Sequence, residues 1–241
     1  MDTALETPSW KDFILMAGLI LLFCLVAVIL VRVFPWLANA YFREITEGII
    51  GLAVIYPAAR KLGFEFGKVR LYLAAFKAGL APAFKYFLIM TAVLYAADYV
   101  FAMALAPWDL HWTNTLLFWS DQSSNLATRD PLISGLLRRP LLLPTYFLAI
   151  CAIGPIMEEF VFRRWLYAGM RRWLPVWAAI LLNGALFGAL HGKDFIDTGL
   201  CGFFFCWFYE KTGKLEVPIL LHAFTNLLAL LLIFGEKIFA R

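Results

Sequence analysis

The stretch PLLLPTYFLAICAIGPIMEEFVFRRW, residues 140–165, joins a long apolar run to a dense group of charges. Its first 18 residues, up to Met157, contain no Asp, Glu, Lys or Arg. About 20 such residues are enough for a helix to cross a bilayer. The stretch therefore predicts a transmembrane helix. The two glutamates and two arginines that follow the apolar run need a separate explanation, because ionisable groups inside a membrane are costly.

The rest of the chain has the same apolar character. Of its 241 residues, 63% are hydrophobic and 16% are charged, which is outside the usual range of soluble domains. Besides residues 140–157, three uncharged stretches are long enough to span a bilayer: Phe13–Val31, Leu174–Gly192 and Val217–Gly235. Three weaker candidates are Tyr86–Trp108, which contains Asp98, Phe195–Tyr209, and the short stretch Gly48–Ala59. We therefore predict an all-α, polytopic transmembrane helical bundle with about seven spans, within a range of six to eight.

The distribution of basic residues predicts the orientation of the bundle. Residues 60–85 contain six lysines and arginines, and the positive-inside rule places this segment in the cytoplasm. Alternation of the spans then puts the N-terminus in the cytoplasm and the C-terminus outside. The acidic start of the chain predicts that its first span is retained rather than removed as a signal peptide. The chain is thus expected to be a multi-pass protein of the cell membrane.

Two regions are predicted from where the polar residues fall. Residues 1–139 would form N-terminal transmembrane helices and a long extramembrane loop, and residues 140–241 would form a catalytic helical core. The net charge of +4 is small and scattered between the spans, so nucleic acid is not an expected partner. The lipid bilayer is an expected partner, and so is a substrate that is itself attached to the membrane.

The charges after Met157 are arranged in a way that suits general base chemistry. Glu159 and Arg163 are four residues apart, in the order that favours an ion pair on one helix face. Glu158 is rotated by about 100° from Glu159 and lacks such a partner on its own helix. A carboxylate that is not neutralised by a cation is suited to accept a proton from water.

Two histidines and one asparagine are the other polar outliers of the apolar runs. Glu158 lies 15 residues before Trp173 and His191 lies 16 residues after Pro175, so a helical hairpin that turns there brings them to the same depth. His222 and Asn226 are four residues apart and share one helix face. They could act as hydrogen-bond donors to an oxyanion, or simply as hydrogen-bonding contacts between helices.

Three short motifs on these stretches resemble those of a known family. EEFVFR, FGALH and HAFTN are similar, in order and spacing, to the EExxxR, FxxxH and HxxxN motifs of the CPBP family of intramembrane endopeptidases, which is also called Abi. The resemblance covers roughly residues 140–235. It implies that Glu158 and His191 activate a water molecule and that His222 and Asn226 stabilise the oxyanion. Glu159 and Arg163 would support them.

The resemblance leaves the mechanism and the substrate open. We expect a metal-free reaction without a cofactor, because Asn226 is a natural oxyanion donor and a poor zinc ligand; the alternative is a zinc ion held by Glu158, His191 and His222. We expect hydrolysis near the C-terminus of a membrane-anchored or lipidated protein, as in protein sorting. One alternative is a CAAX prenyl endopeptidase that acts on cytosolic tails, and another is a non-proteolytic scaffold or immunity protein. A transporter is disfavoured because no inverted repeats are present.

Overall fold

The computed structural model describes residues 9–34, 40–61, 64–105, 135–191 and 195–239. Within these ranges the chain is helical and forms no β-strand, which confirms the all-α fold class. A short 3-10 helix, Phe66–Lys68, precedes the third long helix. The long helices are α1 Trp10–Val33, α2 Ala40–Lys61, α3 Val69–Leu105, α4 Pro140–Met170, α5 Val176–Ala189, α6 Phe195–Thr212 and α7 Glu216–Phe239.

Four of these helices are long and apolar enough to cross a membrane. They are α1, α3, α4 and α7, and α5 is a shorter apolar helix. The helix α2 carries charged residues in its first turns, and α6 carries them near both ends. The described ranges thus contain the helices expected from the apolar runs, but only four of them qualify as spans by length and composition. This is consistent with a polytopic helical membrane bundle.

The third helix begins earlier than the sequence predicted. The prediction started this span at Tyr86 and left residues 60–85 outside the membrane, whereas α3 begins at Val69. Lysine and arginine favour helices, so a few of them do not end one. Arg70, Lys77 and Lys85 are all exposed, and they fall within an arc of roughly 80° around the helix. The basic residues therefore share one side of α3, and the helix continues through them.

The fourth helix, which carries the two glutamates, is not a uniform α-helix. Two π-helical segments, Ala149–Ile153 and Phe160–Tyr167, lie on either side of the α-helical turn Gly154–Glu159. Pro155 accounts for the first of them, because proline has no N–H and its ring crowds the carbonyl four residues earlier. Short π-helical segments occur often at functional sites. Glu158 and Glu159 thus occupy a short regular turn between two widened ones.

The N-terminal helices pack directly on α4. A Cβ atom on Gly51 of α2 would lie 1.9 Å from Sδ of Met157, and one on Gly169 of α4 would lie 1.8 Å from the Phe13 ring of α1. Both glycines therefore allow a close approach, and a larger residue at either position would displace the end of the facing side chain. The division of the chain at residues 139 and 140 stays a prediction.

Glycines also let α5 and α6 approach each other closely. Gly184 and Gly188 of α5 face Gly199 and Gly202 of α6, so that backbone meets backbone. A Cβ atom on Gly188 would lie 2.1 Å from the carbonyl oxygen of Phe195 and 2.9 Å from the backbone of Gly199. Small residues allow such contacts between membrane helices. The helix that carries His191 is therefore held tightly against α6.

We expect Gly188→Ala to destabilise the protein. The added methyl group would overlap a backbone carbonyl that cannot rotate away, and overpacking of this kind costs about 1–3 kcal/mol or more. Thermal unfolding in detergent should show a melting temperature lowered by roughly 2–10 °C. Gly18→Ala in α1 is the matched control, because its Cβ would meet nothing within 4 Å. Equal melting temperatures for the two variants would contradict the close packing of α5 on α6.

Candidate active site

Glu159 and Arg163 form a fully buried ion pair at the centre of the bundle. Both side chains are 0% exposed. Arg163 Nη1 donates a hydrogen bond of 3.0 Å to Glu159 Oε1, and Nε lies 2.9 Å from Oε2 without the alignment of a hydrogen bond. Nη2 donates to the carbonyl oxygen of Gly202 on α6 at 3.1 Å. The pair therefore links α4 to α6.

Aromatic rings enclose the arginine. The guanidinium carbon lies 4.5 Å from the ring centre of Phe187 and 5.2 Å from that of Phe205. Cations are attracted to the faces of aromatic rings, and this attraction grows where water is excluded. The buried charge of Arg163 is thus matched by one carboxylate, one carbonyl group and the surrounding rings.

His222 joins this cluster from α7. Its Nδ1 lies 2.9 Å from Glu159 Oε1. A carboxylate only accepts, so Nδ1 carries the proton of this bond. The imidazole ring also stacks on Phe205, with ring centres 5.0 Å apart and planes 25° apart. Glu159 therefore connects an arginine of its own helix with a histidine of another, and it leaves Nε2 of His222 as the outward nitrogen.

Glu158 faces His191 across a narrow gap. Glu158 Oε2 and His191 Nε2 are 3.8 Å apart, and the two side chains are 30% and 32% exposed whereas Glu159 is fully buried. The Oε2 atom that faces His191 is itself buried. His191 Nδ1 lies 2.6 Å from the carbonyl oxygen of Phe187, which only accepts, so Nδ1 carries the proton. In a neutral ring the lone pair is then on Nε2. Glu158 Oε2 has no hydrogen-bond partner among the described residues.

Asn226 is held by the first π-helical segment of α4. Its Nδ2 donates a hydrogen bond of 2.9 Å to the carbonyl oxygen of Ile150. An amide nitrogen carries two N–H groups, and this bond uses one of them. The structure thus fixes the orientation of the Asn226 amide, one helical turn after His222 on α7.

The structure also shows a polar residue that the sequence analysis did not single out. Asn183 on α5 is 0% exposed. It donates from Nδ2 to the carbonyl oxygen of Phe162 at 2.9 Å and accepts at Oδ1 from Cys206 Sγ at 2.9 Å. The only available signal was a single asparagine within the uncharged stretch 174–192. That signal does not say where the partners of the amide lie.

Five of the six predicted residues thus form two adjacent groups, while Asn226 instead bonds the carbonyl oxygen of Ile150. Glu159, Arg163 and His222 are joined by direct contacts, and Glu158 faces His191 beside them. Within the described part of the chain, no three His, Cys, Asp or Glu side chains are placed to hold one metal ion. The set of ligands considered for zinc does not fit such a site here.

The fold and these residues define a polytopic helical membrane protein with a carboxylate and histidine site inside its bundle. Residues 140–228 match the model of the family described as "Type II CAAX prenyl endopeptidase Rce1-like". This match confirms the resemblance to the CPBP family over the stretch that carries all three motifs.

A curated relative supports the same family. The protein named "Putative membrane peptidase YdiL" of Bacillus subtilis (strain 168) is 28% identical to this chain over 85 residues. The alignment covers 34% of this chain and 35% of that protein, so the chain spans about a third of the length of this relative. No solved structure matches the chain.

Proposed function

We propose that the protein is an intramembrane endopeptidase in which Glu158 activates water. The observation that carries this proposal is the 3.8 Å gap between Glu158 Oε2 and His191 Nε2. Both atoms are hydrogen-bond acceptors when the carboxylate is charged and the ring is neutral. A water molecule that donates to both would lie about 2.8 Å from each, and because Oε2 is buried it would enter after a small movement of the Glu158 side chain. The family match of residues 140–228 supports peptide bonds as the substrate class.

In the proposed reaction the proton moves through Glu158. The carboxylate takes a proton from the water, and the water oxygen attacks the carbonyl carbon of the scissile bond. The carbonyl oxygen becomes an oxyanion. Glu158 then delivers its proton to the amide nitrogen as the carbon–nitrogen bond breaks, which leaves a carboxylate product and an amine product. His191 Nε2 holds the water in line with Glu158.

His222 and Asn226 are proposed to stabilise the oxyanion, but they differ in the protonation state in which they can donate a hydrogen bond. Nδ1 of His222 already donates to Glu159, so Nε2 can donate only when the ring is protonated on both nitrogens. The Asn226 amide is a donor in any protonation state, and its bond to Ile150 fixes its direction. Asn226 is therefore the stronger candidate for the oxyanion donor.

We expect Asn226→Ala to lower kcat by about 10²- to 10³-fold with little change in KM, as loss of one oxyanion donor typically does. Thr225→Ala is the matched control, because among the described residues the Thr225 hydroxyl bonds the Leu221 carbonyl oxygen of its own helix at 2.9 Å. Steady-state kinetics of both variants in proteoliposomes would test this. A loss in Thr225→Ala as large as that in Asn226→Ala would remove Asn226 from the oxyanion role.

The proposed substrate is a membrane-anchored or lipidated protein that is cut near its C-terminus. The site lies among helices that are long enough to span a membrane, so a substrate must enter from the bilayer or its surface. The description of the matched family favours a lipidated tail, whereas a sorting signal anchored by a helix fits the same geometry. We place the protein in the cell membrane, with its N-terminus in the cytoplasm.

The decisive experiment uses the purified full chain in proteoliposomes with three quenched fluorescent peptides. One peptide carries a prenylated C-terminal cysteine, one is anchored by a transmembrane helix, and one has no anchor. We expect cleavage of at least one anchored peptide, no cleavage of the free one, and no effect of a strong chelator. Failure to cleave any peptide by a folded protein would favour the scaffold alternative. About one bound zinc per chain with activity that zinc restores would overturn the metal-free mechanism.

A further inference from the structure

We propose that Asn183 is a positioning residue that sets the register of α5 against α4, and thereby the distance between His191 and Glu158. The catalytic part of this inference rests on the function proposed above; the register itself does not. Asn183 touches neither of the two reacting side chains. It acts through the backbone of Phe162 and through α5, whose C-terminal end leads directly to His191.

The amide of Asn183 joins three helices at one point. It lies on α5, donates to the carbonyl oxygen of Phe162 on α4 and accepts from the thiol of Cys206 on α6, with both distances at 2.9 Å. The side chain is 0% exposed. A buried amide without partners is costly, so sliding α5 along α4 would be opposed by the loss of the bond to the Phe162 carbonyl oxygen.

The bond from Asn183 adds to the register that side-chain packing provides. Side chains of one helix that fit between those of another set the register of the two. Between α5 and α6, the ring of Phe203 lies against Gly184 and the ring of Phe187 lies against Gly202, while Gly188 meets the backbone of Gly199. A hydrogen bond also has a preferred distance and direction, and a single buried polar residue fixes the register of coiled coils. The bond from Asn183 to the Phe162 carbonyl oxygen is a contact of this kind between α5 and α4.

The position of Asn183 links this register to the site. Phe162 follows Glu158 by four residues on α4, and His191 follows Asn183 by eight on the other side of the hairpin. His191 lies just beyond the end of α5 and is tied to it by the bond to the Phe187 carbonyl oxygen. A shift of α5 therefore moves His191 relative to Glu158 by a similar amount. A misplacement of about 1 Å can cost 10²-fold in rate.

The test uses Asn183→Asp, which keeps the shape and the acceptor but removes the N–H donor. An ionised carboxyl group cannot donate to the Phe162 carbonyl oxygen, whereas a protonated one can. We expect kcat to fall by roughly 10- to 100-fold near neutral pH with KM nearly unchanged. The ratio of variant to wild-type kcat should rise as the pH falls. Cys206→Ala, which leaves the bond to Phe162 in place, should stay within about 3-fold of wild type, since a thiol is a weak hydrogen-bonding group.

A second readout needs no activity. The chain has three histidines, so the side-chain nitrogen resonances of His191 can be followed by NMR in detergent. We expect them to move in Asn183→Asp and to keep their wild-type positions in Cys206→Ala. If the wild-type protein cleaves no peptide, the proposed function fails. The inference about register is still tested, because it predicts that the His191 resonances move in Asn183→Asp.

A purely structural role gives a different result. Both variants would then lower the melting temperature. The kcat of each variant would equal that of wild type at every pH, and the His191 resonances would keep their wild-type positions. That outcome would overturn the proposal. If Asn183→Asp does not fold, Asn183→Ser replaces it in the NMR and kinetic experiments. Its short hydroxyl can bond a carbonyl of its own helix and so remain satisfied without reaching Phe162.

Discussion

The Glu158→Gln variant is expected to remain folded and to lose peptide hydrolysis, with kcat lowered by roughly 10²- to 10⁴-fold, the usual range for loss of a general base. Glutamine nearly preserves the shape of the side chain but cannot accept the proton of the attacking water. The exchange should cost little stability, because Glu158 Oε2 has no hydrogen-bond partner in the described chain and the side chain is 30% exposed. The measurement is kcat for the best anchored peptide, together with the melting temperature.

Glu158→Asp is a useful companion to this variant. It keeps the carboxyl group but withdraws it from His191 by about one carbon–carbon bond, so some activity should return without reaching the wild-type rate. A Glu158→Gln protein that retains more than a few per cent of wild-type activity would remove Glu158 from the role of base. Activity then would have to come from another group, and His191 is the nearest candidate.

The Arg163→Ala variant is expected to fail mainly in folding. Removing one member of a buried ion pair leaves the other charge uncompensated, which typically costs about 3–5 kcal/mol. Here Glu159 would keep only His222 as a partner, the Gly202 carbonyl oxygen would lose its donor, and the space between Phe187 and Phe205 would be empty. Yield from the membrane and thermal unfolding in detergent would measure the loss.

Two further variants make the Arg163 result interpretable. Arg163→Lys keeps the charge but cannot reproduce the planar fork, so it should fall between Arg163→Ala and wild type. Lys77→Ala removes an exposed basic residue of α3 and should change stability by less than about 1 kcal/mol. Arg163→Ala should also be clearly less stable than Glu158→Gln. Equal melting temperatures for these last two would show that the pair of Glu159 and Arg163 contributes little.

The sequence predicted the helices well because apolar runs are a local property. It misplaced the start of α3, since Arg70, Lys77 and Lys85 indicated a cytoplasmic segment before the span but are tolerated on the exposed side of a helix. The sequence also identified Glu158 and His191 as candidate site residues, because polar residues are conspicuous within or next to uncharged stretches. Their separation of 3.8 Å, however, depends on how α4 and α5 pack, which no local pattern specifies.

The contacts of the asparagines were beyond the reach of sequence analysis for a related reason. Asn183 and Asn226 both bond carbonyl oxygens in the π-helical segments of α4. Every residue has a backbone carbonyl oxygen whatever its side chain, so residue types could not predict that the carbonyl oxygens of Phe162 and Ile150 are the acceptors. The same holds for Gly202, whose carbonyl oxygen accepts from Arg163.

The first π-helical segment of α4 determines which way Glu158 points around the helix axis. A π-helical turn holds about one residue more than an α-helical turn. If Ala149–Ile153 tightened into an α-helix, everything after it would rotate by about 100° relative to what precedes it. Glu158 would then turn away from His191, and the carbonyl oxygen of Ile150 would no longer face Asn226. The bond from Asn226 to Ile150 therefore favours the rotational state in which Glu158 faces His191, so α7 and the proposed base on α4 are energetically coupled.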